Sequence, residues 1–190
     1  MENLENIVRE KMVVVEGTVH SFEHVKRVLN VATFLAKKEK ADVELVQIGA
    51  FLHDIGWAVG KPHHETGAEL AYKIMQENNF PKEKMERIVK IVLHHHLDSR
   101  DKLETIEEKI VWDADKVDML GILGMVRAFH WLGSSPFNSV IERSFKELKA
   151  IYPLLNTKTA KAIAKKRCNE TLTLFAALER ELSLKDLEID

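Results

Sequence analysis

Apolar residues recur at three- and four-residue steps along nearly the whole of this 190-residue chain, and no run of useful length alternates with period two. That periodicity confines the chain to helices packed on helices. Val25, Val28, Leu29, Ala32, Leu35 and Ala36 mark one apolar face. A second helix is expected from Asp42, a good N-cap, to about Ile55, where Gly56 supplies a stop. A third runs from about His64 to Asn78. Asn78, Asn79 and Pro81 end it, and the next carries Met85, Ile88, Val89, Val92 and Leu93. Glu107 to about Trp131 reads as one long helix with Gly121 and Gly124 inside it. Glycine in a helix interior costs roughly 0.5–1 kcal/mol relative to alanine, so two of them imply close packing or a kink. Gly133, Ser134, Ser135 and Pro136 mark a loop, and helices near 138–151 and 158–182 finish the chain. Val13-Val14-Val15 is too short to carry a strand and fits better in a first helix. The expected fold is all-α, a compact helical bundle.

With four prolines, eight glycines and no linker, repeat or low-complexity tract, residues 1–190 read as one domain. The functional signature lies within 18–130, and the helices over 137–182 pack on it. A hydrophobic fraction of 45% with 31% charged residues excludes disorder as the main state. A net charge of -2 gives no general reason to expect nucleic acid or an anionic membrane as partner, so an anionic substrate must be bound locally. The basic run Lys158, Lys161, Lys165, Lys166 and Arg167 reads as the solvated face of a helix. The lone Cys168 can form no internal disulfide and reads as a small apolar residue. The apolar run Met12 to Val15 is neither a signal peptide nor a spanning helix, so a soluble, cytoplasmic protein is expected. Met125, Phe129, Trp131 and Phe137 are either core or a homodimer surface, core being the commoner case.

Eight of the nine histidines lie between positions 20 and 96. A single histidine is most often just a solvated or hydrogen-bonded side chain. Here they cluster with carboxylates. His20 and His24, four apart, would share a helical face. His53-Asp54 closes an apolar helix, Ile48-Gly49-Ala50-Phe51-Leu52, and a buried carboxylate there needs something to neutralise it. A divalent cation does so. Asp115 and Asp118, three apart, share a face after the apolar Ile110-Val111-Trp112, whereas Asp113 reads as surface charge. A mixed imidazole and carboxylate site suits manganese, iron, cobalt, nickel or zinc, with magnesium also a candidate and manganese favoured. Such a metal polarises an attacked centre and acidifies bound water.

These residues resemble the HD-domain phosphohydrolase superfamily. The resemblance rests on HSFEHVKRV at 20–28, IGAFLHDIG at 48–56, HHETGAELA at 63–71, IVLHHH at 91–96 and WDADKVDMLGILGMVRAF at 112–129. Within that family the chain is similar to small stand-alone hydrolases, bacterial pyrophosphohydrolases of nucleoside triphosphates among them. The resemblance implies His24, His53, Asp54 and Asp115 as metal ligands, and Asp54, His20 or a histidine of the 63–64 and 94–95 pairs is expected to position the water or protonate the leaving group. It places His63, His64, His94 and His95 where some relatives bind a second metal or the substrate phosphate, Lys116 is placed to contact phosphate as a point charge, and His96 reads as an ordinary surface histidine. LDSRDK follows the histidine run, not the DGxGYP of cyclic-di-GMP phosphodiesterases, and Ile55-Gly56-Trp57 does not complete the HDxxED of ppGpp hydrolases. The expected activity is metal-dependent hydrolysis of a nucleotide anhydride or ester. A 5'-nucleotidase, a cyclic-nucleotide phosphodiesterase and a metal-binding regulatory domain are the alternatives.

Overall fold

Why the chain folds as it does is clearest at its most apolar segment. The helix Val43–Leu52 is apolar apart from Glu44 and Gln47, and from Ile48 to Leu52 every residue is buried, so it must be enclosed by others. In the computed structural model, which describes residues 2–133 and 135–187, it sits at the centre of an all-α bundle. Nine α-helices are found among the described residues: α1 (Glu2–Met12), α2 (Phe22–Glu39), α3 (Val43–Leu52), α4 (His63–Glu77), α5 (Lys82–His94), α6 (Ile106–Asp118), α7 (Gly121–Leu132), α8 (Phe137–Ile151) and α9 (Lys158–Leu182). Val13–Val15 is a short 3₁₀ turn that continues α1, not a strand. No helix among the described residues is long and apolar enough to cross a membrane.

Helix α3 starts where Asp42 accepts a hydrogen bond from the Leu45 N–H at 3.0 Å. The stripe from Val25 to Ala36 becomes the buried face of α2, which packs on α3 and α6. Helix α6 opens with a reciprocal capping box between Thr105 and Glu108. From Ile110 to Asp118 every residue of it is buried, including three aspartates and a lysine. Among apolar side chains such charges persist only when they are paired.

Four expectations need correction. Helix α3 ends at Leu52 rather than near Ile55, so His53 and Asp54 occupy a turn before the 3₁₀ segment Ile55–Ala58. The long helix expected from Glu107 to Trp131 is two helices. Leu120 is extended and buried, and Gly121, the first residue of α7, has φ +87°, a left-handed conformation that separates the two helices. A Cβ on Gly124 would lie 2.0 Å from the Met119 carbonyl oxygen, so both glycines serve the break. Asp113 is not surface charge. It is fully buried and accepts four hydrogen bonds from the backbone and side chains of Asn156 and Thr157, tying α6 to the start of α9. In the basic run of α9 the lysines are exposed, but Arg167 is half-buried and donates to the Val117 carbonyl at 2.6 Å.

The apolar residues of α7 are not core either. Met125 and Phe129 are half-buried, while Ile122, Leu123, Val126 and Trp131 are 45%, 38%, 55% and 52% exposed. The two buried residues of α7 are its glycines. The side chain of Phe137 lies outside the described residues. Cys168 is buried, as expected of a small apolar side chain.

Candidate metal centre

The turn after α3 brings the first two polar groups inward. His53 is fully buried, and its Nδ1–H donates to the Ala50 carbonyl at 2.8 Å, which leaves Nε2 as a lone-pair donor. From α2, His24 donates Nδ1–H to the buried Asp118 carboxylate at 2.8 Å, which frees its Nε2 in the same way. The two Nε2 atoms face each other at 3.3 Å. His24 Nε2 is 3.4 Å from both Asp54 Oδ2 and Asp115 Oδ1, and His53 Nε2 is 3.6 Å from Asp54 Oδ2. Once His24 gives up its second proton, lone pairs of two imidazoles and two carboxylates converge in a buried space. Such an arrangement repels itself unless positive charge sits within it, and its donor set suits a borderline divalent metal.

Asp54 is the hub. Its Oδ2 meets His20 Nδ1 at 2.9 Å as well as His24 and His53. Its Oδ1 faces His95 Nε2 at 3.3 Å and His63 Nε2 at 3.9 Å. Three overlapping groups can therefore hold a cation: His24, His53 and Asp115; His20, His24 and Asp54; Asp54, His63 and His95. His95 donates Nδ1–H to the Val92 carbonyl at 2.6 Å, presenting Nε2 inward like His53.

The electrostatics follow from burial and these neighbours. Burial disfavours the charged imidazole of His24, yet the carboxylates of Asp115, Asp118 and Asp54 outweigh it and raise the pKa to about 10. Burial dominates at His53, which falls to about 4, and at His63, which falls to about 3. Asp54 and Asp115 are held well below the usual carboxylate range although burial opposes it, Asp54 chiefly by His53 and Asp115 chiefly by Lys116. Both are thus anionic at neutral pH. Asp118 is drawn down to about 2 against burial by its bonds to His24 and Arg27 and by the Arg127 charge.

A cavity of about 380 Å³ opens from these groups. Lys116 is buried in its wall, with Nζ bonded to Asp115 Oδ2 at 2.5 Å and to the His95 carbonyl at 3.1 Å. Trp57 lies between two site histidines, stacked on His20 at 4.3 Å and on His63 at 4.4 Å. Arg127 bridges Asp118 and the Val19 carbonyl on the α7 side of the cavity.

The structure brings His20, His24, His53, Asp54, His63, His95, Asp115 and Lys116 together. It does not bring in His94, which turns away to bond Glu108 at 2.9 Å. His64 stacks on His96 at 5.0 Å and does not line the cavity, whereas His96, expected at the surface, does line it while part-exposed. His20 precedes α2 instead of sharing its face with His24, and it reaches Asp54 from the turn before Ser21. Sequence reasoning gave no role to Trp57, Arg127 or Asp118. For Asp118 the three-residue step from Asp115 was the available signal.

Residues 21–120 match the HD domain family. The Bacillus subtilis protein YpgQ is 29% identical over 183 residues, which are 91% of this chain and 89% of that one. The crystal structure of YpgQ in complex with ADP superposes with a TM-score of 0.78 at 25% identity, covering 95% of this chain and 96% of that chain. A predicted HD superfamily hydrolase from an uncultured Thermotogales bacterium superposes with a TM-score of 0.73 at 25% identity over 96% of this chain and 92% of that one.

Proposed function

This chain belongs to the HD domain family, and we propose that it is a metal-dependent phosphohydrolase acting on a nucleotide. One observation carries the reading: the inward lone pairs of His24 and His53 meet the anionic carboxylates of Asp54 and Asp115 at the inner wall of a ligand-sized cavity. Those four residues would hold the cation, manganese by preference. A bound divalent metal supplies Lewis acidity toward a phosphoryl oxygen and lowers the pKa of water.

The chain's own groups do the rest. Lys116 spends two of its three donors on Asp115 and His95, leaving one for a phosphate oxygen in the cavity. His63 and His95 lie on the other oxygen of Asp54, where they can accept from a water or join a second cation. His20, partly exposed and held in place by Asp54, can carry a proton from the attacking water to the leaving oxygen. The nucleotide as substrate is supported by the ADP complex of the similar YpgQ.

Asp115→Ala is the direct test, with hydrolysis measured over nucleoside triphosphates, monophosphates and cyclic nucleotides with added manganese. Turnover should vanish for every substrate the natural protein accepts. Full turnover in the variant would overturn the assignment.

A further inference from the structure

The phosphate chemistry uses only part of the cavity. Its α7 wall is built from Gly124, Arg127, Ala128 and Trp131, residues three and four apart on one helical face. Trp131 is 52% exposed, whereas Trp112 is completely buried. The Trp131 ring meets His20 edge-on at 5.5 Å, which sets it beside the catalytic groups without making it one of them. Arg143 and Glu147, one turn apart on α8, also line the cavity and are joined by an Nε–H to Oε1 hydrogen bond of 2.9 Å.

We propose that this wall is a nucleobase subsite, in which the base stacks on the Trp131 indole while Arg143 and Glu147 offer a donor and an acceptor to its polar edge. The proposal rests on the phosphohydrolase reading and adds to it where the organic part of the substrate lies. One cavity holds a lysine and a cation-binding cluster on one wall and a half-exposed aromatic with a charged pair on another. That combination fits a molecule that is polyanionic at one end and flat, aromatic and hydrogen-bonding at the other. The small side chain of Ala128 leaves room for a ring along α7. Stacking on an indole tolerates every base, because each has a π-face, so Trp131 gives affinity and the pair on α8 gives preference.

The test is calorimetric titration of the manganese-loaded full chain with ADP and, separately, with inorganic pyrophosphate, which lacks the nucleoside. Trp131→Ala should weaken ADP binding about tenfold more than pyrophosphate binding. Trp131→Phe, which keeps an aromatic face, should recover most of that loss. Glu147→Gln should change the order of affinity among ADP, GDP, CDP and UDP. Equal weakening of both probes by Trp131→Ala, or none, overturns the subsite. Natural protein that binds pyrophosphate but ADP no more tightly overturns the subsite and leaves the phosphohydrolase reading standing. Protein that binds neither probe removes that reading and the subsite with it.

Discussion

The two walls of the cavity invert the usual partition of residues. On the wall made by α2, α6 and the turn after α3, charged and polar side chains are buried: His24, His53, Asp54, Asp115, Lys116 and Asp118. On α7, large apolar side chains stay exposed: Trp131 in the cavity wall, and Ile122, Leu123 and Val126 outside it. Burying an ionisable group is unfavourable unless its partners are in place, so each member of the inner wall constrains the others. Asp54 alone meets five histidines. Apart from Arg127, which is bonded to Asp118, the α7 wall carries no such mutual dependence. Its other residues are free to follow the substrate, while the inner wall is bound to one chemistry.

Substitutions on the two walls should therefore differ in kind. The largest effect is expected at the hub. Asp54→Asn should lower manganese affinity about a thousandfold, because it leaves several imidazoles without their shared counter-charge. Titration calorimetry reads this directly, and a change below tenfold would break the contrast between the walls. Next comes Gly56→Ala. A Cβ there would fall 1.8 Å from the His63 carbonyl oxygen, and the loss of stability should be about 3 kcal/mol in denaturant unfolding. Unchanged stability would show that the turn can yield. Asp118→Asn removes the negative charge and one of the two acceptor oxygens that orient His24, and manganese affinity should fall about 10- to 100-fold with the helical circular dichroism retained.

A smaller effect concerns pH. Burial opposes a charged His24, but its carboxylate neighbours win and raise it to about 10, above the ordinary 6.5. The stabilisation from that proton is full below pH 6.5 and fades as pH rises toward 10. A cation must displace the same proton, so manganese affinity should rise about tenfold per pH unit between about pH 7 and 9, with about one proton released per cation. Calorimetry in buffers of different ionisation enthalpy counts that proton, and a count of zero would contradict the role of His24. Least affected should be Val126→Ser on the exposed side of α7, which should shift stability by no more than about 0.5 kcal/mol and leave metal affinity unaltered.

The helices carrying the inner wall were legible because their signals are local. The Asp42 cap, the stops at Asn78 and Pro81 and the apolar stripe of α2 all act within a few residues. The break between α6 and α7 was hidden, since Ile110 through Trp131 keeps helical periodicity and Gly121 shows its role only through a positive φ. In the run His94-His95-His96, adjacent side chains at a helix end point in three directions. Only His95 takes part in a possible cation group, and one residue of uncertainty in helix phase is enough to lose it. Trp57, stacked between His20 and His63, depends on contacts that span separate turns and has no sequence periodicity to announce it. Asp113 was misread for the same reason, its partners lying more than forty residues away.

Gly56 rests against the first turn of α4, with main chain meeting main chain at His63 and Gly67. The span between the Asp54 turn and the helix bearing His63 is thus gauged by backbone atoms, whose dimensions no substitution alters. Drift among the surrounding side chains can reshape what enters the cavity long before it changes the calibre of the centre that receives it.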